Sequence, residues 1–233
     1  MNAETLAFLN TADNGMNRLL WREFAEVAPL FREGAATQLT DALSEASRKH
    51  HNLHHILTIM RLARPLYDLA IDPLGLRIAL LFQDAIYHIP LSAAQPLPRD
   101  NEERSIRFMA MQAVNPAHPS ILHAAELIRG TITHDARRGL DGPLMHDLDL
   151  SILAVRRSRY AQYEQNLRAE YDVFPQPLYC SARTAILRTL LDRPRVYASP
   201  YLASKWENAA RDNISWAIKQ LAQSLIPGEA AYA

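Results

Sequence analysis

An all-α fold is the expectation for this chain, and three features of the sequence support it. Glycine is scarce, with 7 among 233 residues, whereas β-rich folds use many tight turns with positive φ. Leu, Ala, Arg and Glu are abundant, and all four favour helix. Apolar residues recur at three- and four-residue spacing: Leu53, Ile56, Leu57 and Met60 form one stripe, and Ile186, Leu187, Leu190 and Leu191 another.

The periodic stretches predict helices over about 16–33, 36–47, 50–70, 73–88, 101–113, 119–133, 147–171, 180–192 and 203–225. The segment 147–171 reads as one long helix or two. Prolines and glycines separate the others: Pro90, Pro96 and Pro98, then Pro116 and Pro119, then Gly139, Gly142 and Pro143, then Pro175 and Pro177. Asp100, ahead of Asn101-Glu102-Glu103, is the expected N-cap of its helix. No fixed-period repeat and no linker divides the chain. A single helical domain over 1–233 is expected, with a core from about 48 to 214 and terminal helices packed on it.

Hydrophobic residues make up 48% and charged residues 21%, enough to bury a core and too apolar for disorder. Lys+Arg and Asp+Glu are equal at 25 each, so no global field draws the chain to nucleic acid or an anionic membrane. The lone Cys180 forms no intrachain disulfide and suits a reducing compartment. MNAETLAFLN lacks the basic start and apolar stretch of a signal peptide. The most apolar run, Ile78 to Phe82, is far short of the roughly 20 residues of a membrane span. A cytoplasmic protein without membrane or nucleic-acid partners is the expectation. The short basic run Arg156-Arg157-Ser158-Arg159 reads as a solvated helix face.

Nine histidines occur, and His50, His51, His54 and His55 crowd together. On one continuous helix His51 and His55 would share a face, as would His50 and His54. Paired imidazoles begin a metal site, although an isolated pair is explained as well by a polar stripe. Asp84 follows the apolar run ending at Phe82. A carboxylate there must be paired, for instance with Arg77, or bind a cation. His134 closes the helix that ends Thr131-Ile132-Thr133. Asp147 and Asp149 lead into the apolar Ile152-Leu153. His118 and His123 read as surface residues.

Taken together, these motifs resemble the HD-domain superfamily, and within it the group of predicted metal-dependent HD phosphohydrolases. That group's Arg-x-Tyr-His-Asn-x-x-His-Ile is similar to Arg48-Lys49-His50-His51-Asn52-Leu53-His54-His55-Ile56. Its Phe-His-Asp-x-x-Tyr is similar to Phe82-Gln83-Asp84-Ala85-Ile86-Tyr87. Asn101-Glu102-Glu103-Arg104-Ser105, Thr131 to His134 and Met145 to Leu153 match further motifs. Tyr160-x-x-Tyr163, Arg168-x-Glu170-Tyr171 and Glu207-x-x-Ala210-Arg211-x-Asn213 extend the resemblance to about residue 214. Two positions depart from the pattern. His50 replaces the tyrosine, and Gln83 replaces the histidine of the His-Asp pair.

The resemblance implies a divalent metal ion (Mn, Mg, Ni, Zn or Fe) held by His51, His55, Asp84 and Asp149. His51 and Asp84 are the leading ligands, and His55 is a ligand or orients one. Asp84, His134 and Glu103 carry the catalytic roles. Glu103 either orients a water or pairs with a basic residue, and Arg48 clamps phosphate or forms a salt bridge. Gln83 offers an amide oxygen where an imidazole is expected, so metal binding should be weak or absent. The implied activity is hydrolysis of a nucleotide or other small phosphoester. The rivals are a catalytically degenerate HD-fold binding or regulatory protein and a purely structural helical homo-oligomer.

Overall fold

The computed structural model describes residues 15–133 and 141–225. Among them are ten α-helices and no strand. The all-α expectation therefore holds. The helices are α1 (Gly15–Ala25), α2 (Ala35–Leu43), α3 (Leu53–Ala63), α4 (Pro73–Phe82), α5 (Asn101–Gln112), α6 (Pro119–Thr131), α7 (Gly142–Asp149), α8 (Arg157–Glu170), α9 (Gln176–Leu191) and α10 (Pro200–Gln223). Short 3₁₀ turns follow three of them, at Ala28–Leu30, Arg64–Leu69 and Leu150–Ala154. None of the described helices is long and apolar enough to cross a membrane.

The chain divides into two compact units. The first comprises residues up to His88 together with Pro98–Asp149, and the second Ile89–Leu97 with the chain from Leu150 onward.

In the first unit α4 is the central element. Six of its ten residues, Leu76 and Ile78 to Phe82, are fully buried. A helix apolar on every side is stable only when covered all round, and α3, α5, α6 and α7 all pack on α4, α6 most extensively. Phe82 closes its C-terminal end, stacked on Phe31 with centroids 5.0 Å apart, beside Phe24 and Phe108. One antiparallel bridge joins Phe31 to Ala113, tying the turn after α1 to the end of α5.

A buried polar clamp fixes the start of α4. Asp72 caps the helix by accepting from Gly75 N at 2.9 Å. Asp141, at the start of α7, accepts from Ile71 N and Asp72 N at 2.7 and 3.0 Å and pairs with His123 Nε2 at 3.0 Å. His123 is thus an interior partner of α7, not a surface residue, and His118 caps α6 by accepting from Ser120 N. A Cβ on Gly75 would lie 2.6 Å from Asp72 Oδ2 and 2.7 Å from His123 Cδ2. Both neighbours are held by the clamp and cannot move aside. Gly75→Ala should therefore destabilise by about 1–3 kcal/mol, although alanine is the better helix former by about 1 kcal/mol. A urea midpoint unchanged or raised in the variant would refute the crowding.

Several predicted boundaries shift for identifiable reasons. The expected 50–70 helix begins only at Leu53, because Asn52 adopts an extended backbone and its side chain accepts from His54 N and His55 N. Asp100 does not cap α5 with its side chain. Its carboxylate accepts from Arg104 instead, at 2.9 Å. The segment 147–171 breaks into α7, a 3₁₀ turn and α8.

In the second unit α10 packs on α8, on α9 and on the turn Leu150–Ala154. Its apolar centre includes Tyr160, Leu187, Tyr197 and Ile214, all fully buried. Polar side chains of α10 tie the connections together. Glu207 accepts from Val196 N and Tyr197 N. Arg211 donates to the carbonyls of Leu191, Arg193 and Pro194. Asn213 Nδ2 donates to Leu153 O and Val155 O, both at 2.7 Å. The Glu207–Asn213 motif thus organises loops. Arg157, from the basic run, donates to Asp212 O and lies over the Trp216 ring.

Candidate metal centre

The first unit gathers His55, Asp84 and Asp149 at one point. His55, buried on the first turn of α3, places Nε2 3.6 Å from Asp84 Oδ2 and 3.8 Å from Asp149 Oδ1. Asp149 is the last residue of α7, and Asp84 lies just past the end of α4. Burial pushes the Asp84 carboxyl above the usual carboxylate range, and the Asp149 charge adds to it, while His51, His55 and Arg48 pull the other way. Asp84 Oδ2 is buried without a hydrogen-bond partner.

His50 and His51 lie in the bend before α3, so helical periodicity does not align them with His55. The Asn52 cap folds them back instead. The His50 ring lies 4.5 Å from the His55 ring, centroid to centroid, and the His51 ring 6.2 Å. His51 also stacks on Tyr87 at 3.8 Å with planes 15° apart. His54 is exposed. His51 acts on the same carboxylate: of the charges that pull the Asp84 carboxyl down, that of His51 is the strongest, ahead of His55.

Three motif residues act by holding the Asp84 loop. Arg48 is buried and donates to Asp84 O at 2.5 Å, to Ala85 O at 2.9 Å and to His51 O at 3.2 Å. Its Nε also donates to Glu45 Oε2 at 3.3 Å, so the salt bridge expected of it is present alongside the backbone contacts. Ser105 accepts from Ile86 N and donates to Ile86 O. Asn101 does the same for His88 through its amide. The Asn101-to-Ser105 motif therefore zips residues 86–88 onto α5.

Glu103 takes the second of its two expected roles. It pairs with Arg129 of α6 through both oxygens, at 2.6 and 3.2 Å. Its neighbour Glu102 faces the centre, and its carboxyl is raised by burial, with the Asp84 and Asp149 charges adding to the effect. The sequence held a signal for this. Glu102 lies on the stripe of Ser105, Ile106 and Met109, the buried face of α5, whereas Glu103 is one step off it. Arg77 bonds Glu23, not Asp84. His134 lies outside the described residues.

Gln83, at 3% exposure, has neither amide atom hydrogen-bonded. Among the described residues no group of three or more His, Cys, Asp or Glu side chains is arranged to hold a metal ion as it stands. Ligand atoms sharing one ion at 2.0–2.2 Å lie roughly 3 to 3.6 Å apart. His55 Nε2 lies 3.6 and 3.8 Å from the two carboxylates, at and beyond that limit. The donor chemistry, an imidazole with two carboxylates and an orphaned buried oxygen, fits a divalent cation. Comparison with family models, curated proteins and solved structures finds no match to this chain.

Proposed function

We propose that the first unit binds a divalent cation at His55, Asp84 and Asp149 and hydrolyses the phosphoester of a nucleotide or other small molecule. One observation carries this: the two carboxylates converge on a single imidazole nitrogen, at 3.6 and 3.8 Å. Two desolvated carboxylates repel, and a cation between them offsets both the repulsion and the unsatisfied Asp84 Oδ2. Such an ion supplies Lewis acidity to a phosphoryl oxygen and acidifies water. Glu102 keeps its proton to higher pH than an ordinary carboxyl, which suits it to pass a proton at this centre. Arg48, Asn101 and Ser105 position the Asp84 loop through its backbone. A binding protein without hydrolysis is the second reading, favoured by the unpartnered Gln83 amide.

Titration calorimetry with Mn²⁺, on the native chain and on His55→Ala, tests the proposal. The variant should lose affinity by about 10- to 100-fold, on the scale of losses seen when metal-site groups are removed. Native protein that takes up no Mn²⁺, or a variant that binds equally well, refutes the cation site. Binding without hydrolysis of any nucleotide offered selects the second reading.

A further inference from the structure

We propose that Tyr87 is a positioning residue of this centre: its ring holds the His51 imidazole beside Asp84. This rests on the cation site proposed above. Three contacts lead to Tyr87. The His51 and Tyr87 rings stack with centroids 3.8 Å apart and planes 15° apart. Arg48 Nη1 donates to both His51 O and Asp84 O, at 3.2 and 2.5 Å, so these two residues meet at one nitrogen. Ile86 and His88, on either side of Tyr87, are each bonded through backbone N and O to a side chain of α5, Ser105 for the first and Asn101 for the second.

Arg48 fixes the His51 backbone and leaves its side-chain torsions open. A half-buried imidazole in a bend has several staggered rotamers to choose from. A parallel ring against its face favours one of them by about three- to tenfold. Tyr87 cannot simply follow the imidazole, because the backbone on both sides of it is pinned to α5. The imidazole held in this way is the one whose charge pulls most strongly on the Asp84 carboxyl. Groups beside a ligating carboxylate orient it, and losing one costs about 10- to 100-fold in cation affinity. Tyr87 touches the centre only through His51, so its effect must vanish when the imidazole is absent. A residue that merely packs the loop would keep its effect.

The experiment titrates the full chain with Mn²⁺ by calorimetry and records the His51 ring-proton resonances of the metal-free protein. Native protein is compared with Tyr87→Leu, Tyr87→Phe, His51→Ala and the double variant Tyr87→Leu/His51→Ala. The native His51 resonances should lie upfield of an ordinary histidine, because the ring sits over Tyr87. They should move back in Tyr87→Leu and stay in Tyr87→Phe. Tyr87→Leu should weaken Mn²⁺ binding by about three- to tenfold, and Tyr87→Phe by less than twofold. His51→Ala should lose about tenfold or more, and the double variant should bind as His51→Ala does. Mn²⁺ affinity within twofold of native in Tyr87→Leu overturns the assignment and leaves the cation site standing. A Tyr87→Leu loss that persists in the His51→Ala background assigns Tyr87 to packing and overturns it too. So does a loss in Tyr87→Phe equal to that in Tyr87→Leu, which would place the effect in the hydroxyl. Native protein that takes up no Mn²⁺ refutes the cation site and the assignment together.

Discussion

Replacing Arg48 with alanine should cost about 4 kcal/mol of stability, the largest single effect expected in the first unit. The guanidinium serves the carbonyls of His51, Asp84 and Ala85 at once. Each buried carbonyl left unpaired costs about 1–3 kcal/mol, and the lost packing of the side-chain stem adds to that. Arg48→Lys should recover only part, because one ammonium cannot reach three carbonyls in a planar fork. Urea denaturation measures both variants, and a loss under about 1 kcal/mol for alanine would remove the clamp from this account. The same variants should weaken Mn²⁺ uptake, since the carbonyl that Arg48 grips belongs to Asp84 itself.

Arg183→Ala should destabilise the second unit by a similar amount. Arg183 of α9 meets Glu164 of α8 at 3.1 and 2.8 Å and the Tyr163 hydroxyl at 3.0 Å. Both charged side chains are almost enclosed, 10% and 13% exposed. Removing one partner of an enclosed pair leaves the other charge without compensation, at a cost of about 3–5 kcal/mol. The double variant Arg183→Met/Glu164→Leu should regain most of that, because apolar residues of similar volume replace such pairs with little loss. The discriminating measurement is again the unfolding free energy of single and double variants. If the double variant is as unstable as Arg183→Ala, the cost lies in packing and not in the stranded carboxylate.

The helices were legible because their cause is local. Periodicity, sparse glycine and the placement of proline act within a few residues, and Asn101–Gln112 and Pro119–Thr131 lie where those signals put them. Where a single side chain overrode the period, the boundary moved: Asn52 captured two backbone amides and started α3 three residues later than periodicity suggests. The components of the candidate centre were legible as residue types, since an acid just after the apolar run Ile78 to Phe82 and a run of histidines are unusual neighbours in sequence.

Their roles were not legible, because those depend on residues far apart in the chain. Whether Arg48 meets solvent or the carbonyls of Asp84 and Ala85 is decided by a loop 36 and 37 residues away. Whether Glu102 or Glu103 faces the aspartates depends on Arg129 of α6 drawing Glu103 aside. Burial turned His123 from an apparent surface residue into a partner of Asp141. The sequence by itself determined the all-α class and the chemistry available at the centre. Only tertiary structure set Asp84 and Asp149 3.6 and 3.8 Å from His55, and desolvation and Coulomb interactions depend on such distances through space, which no spacing along the chain encodes.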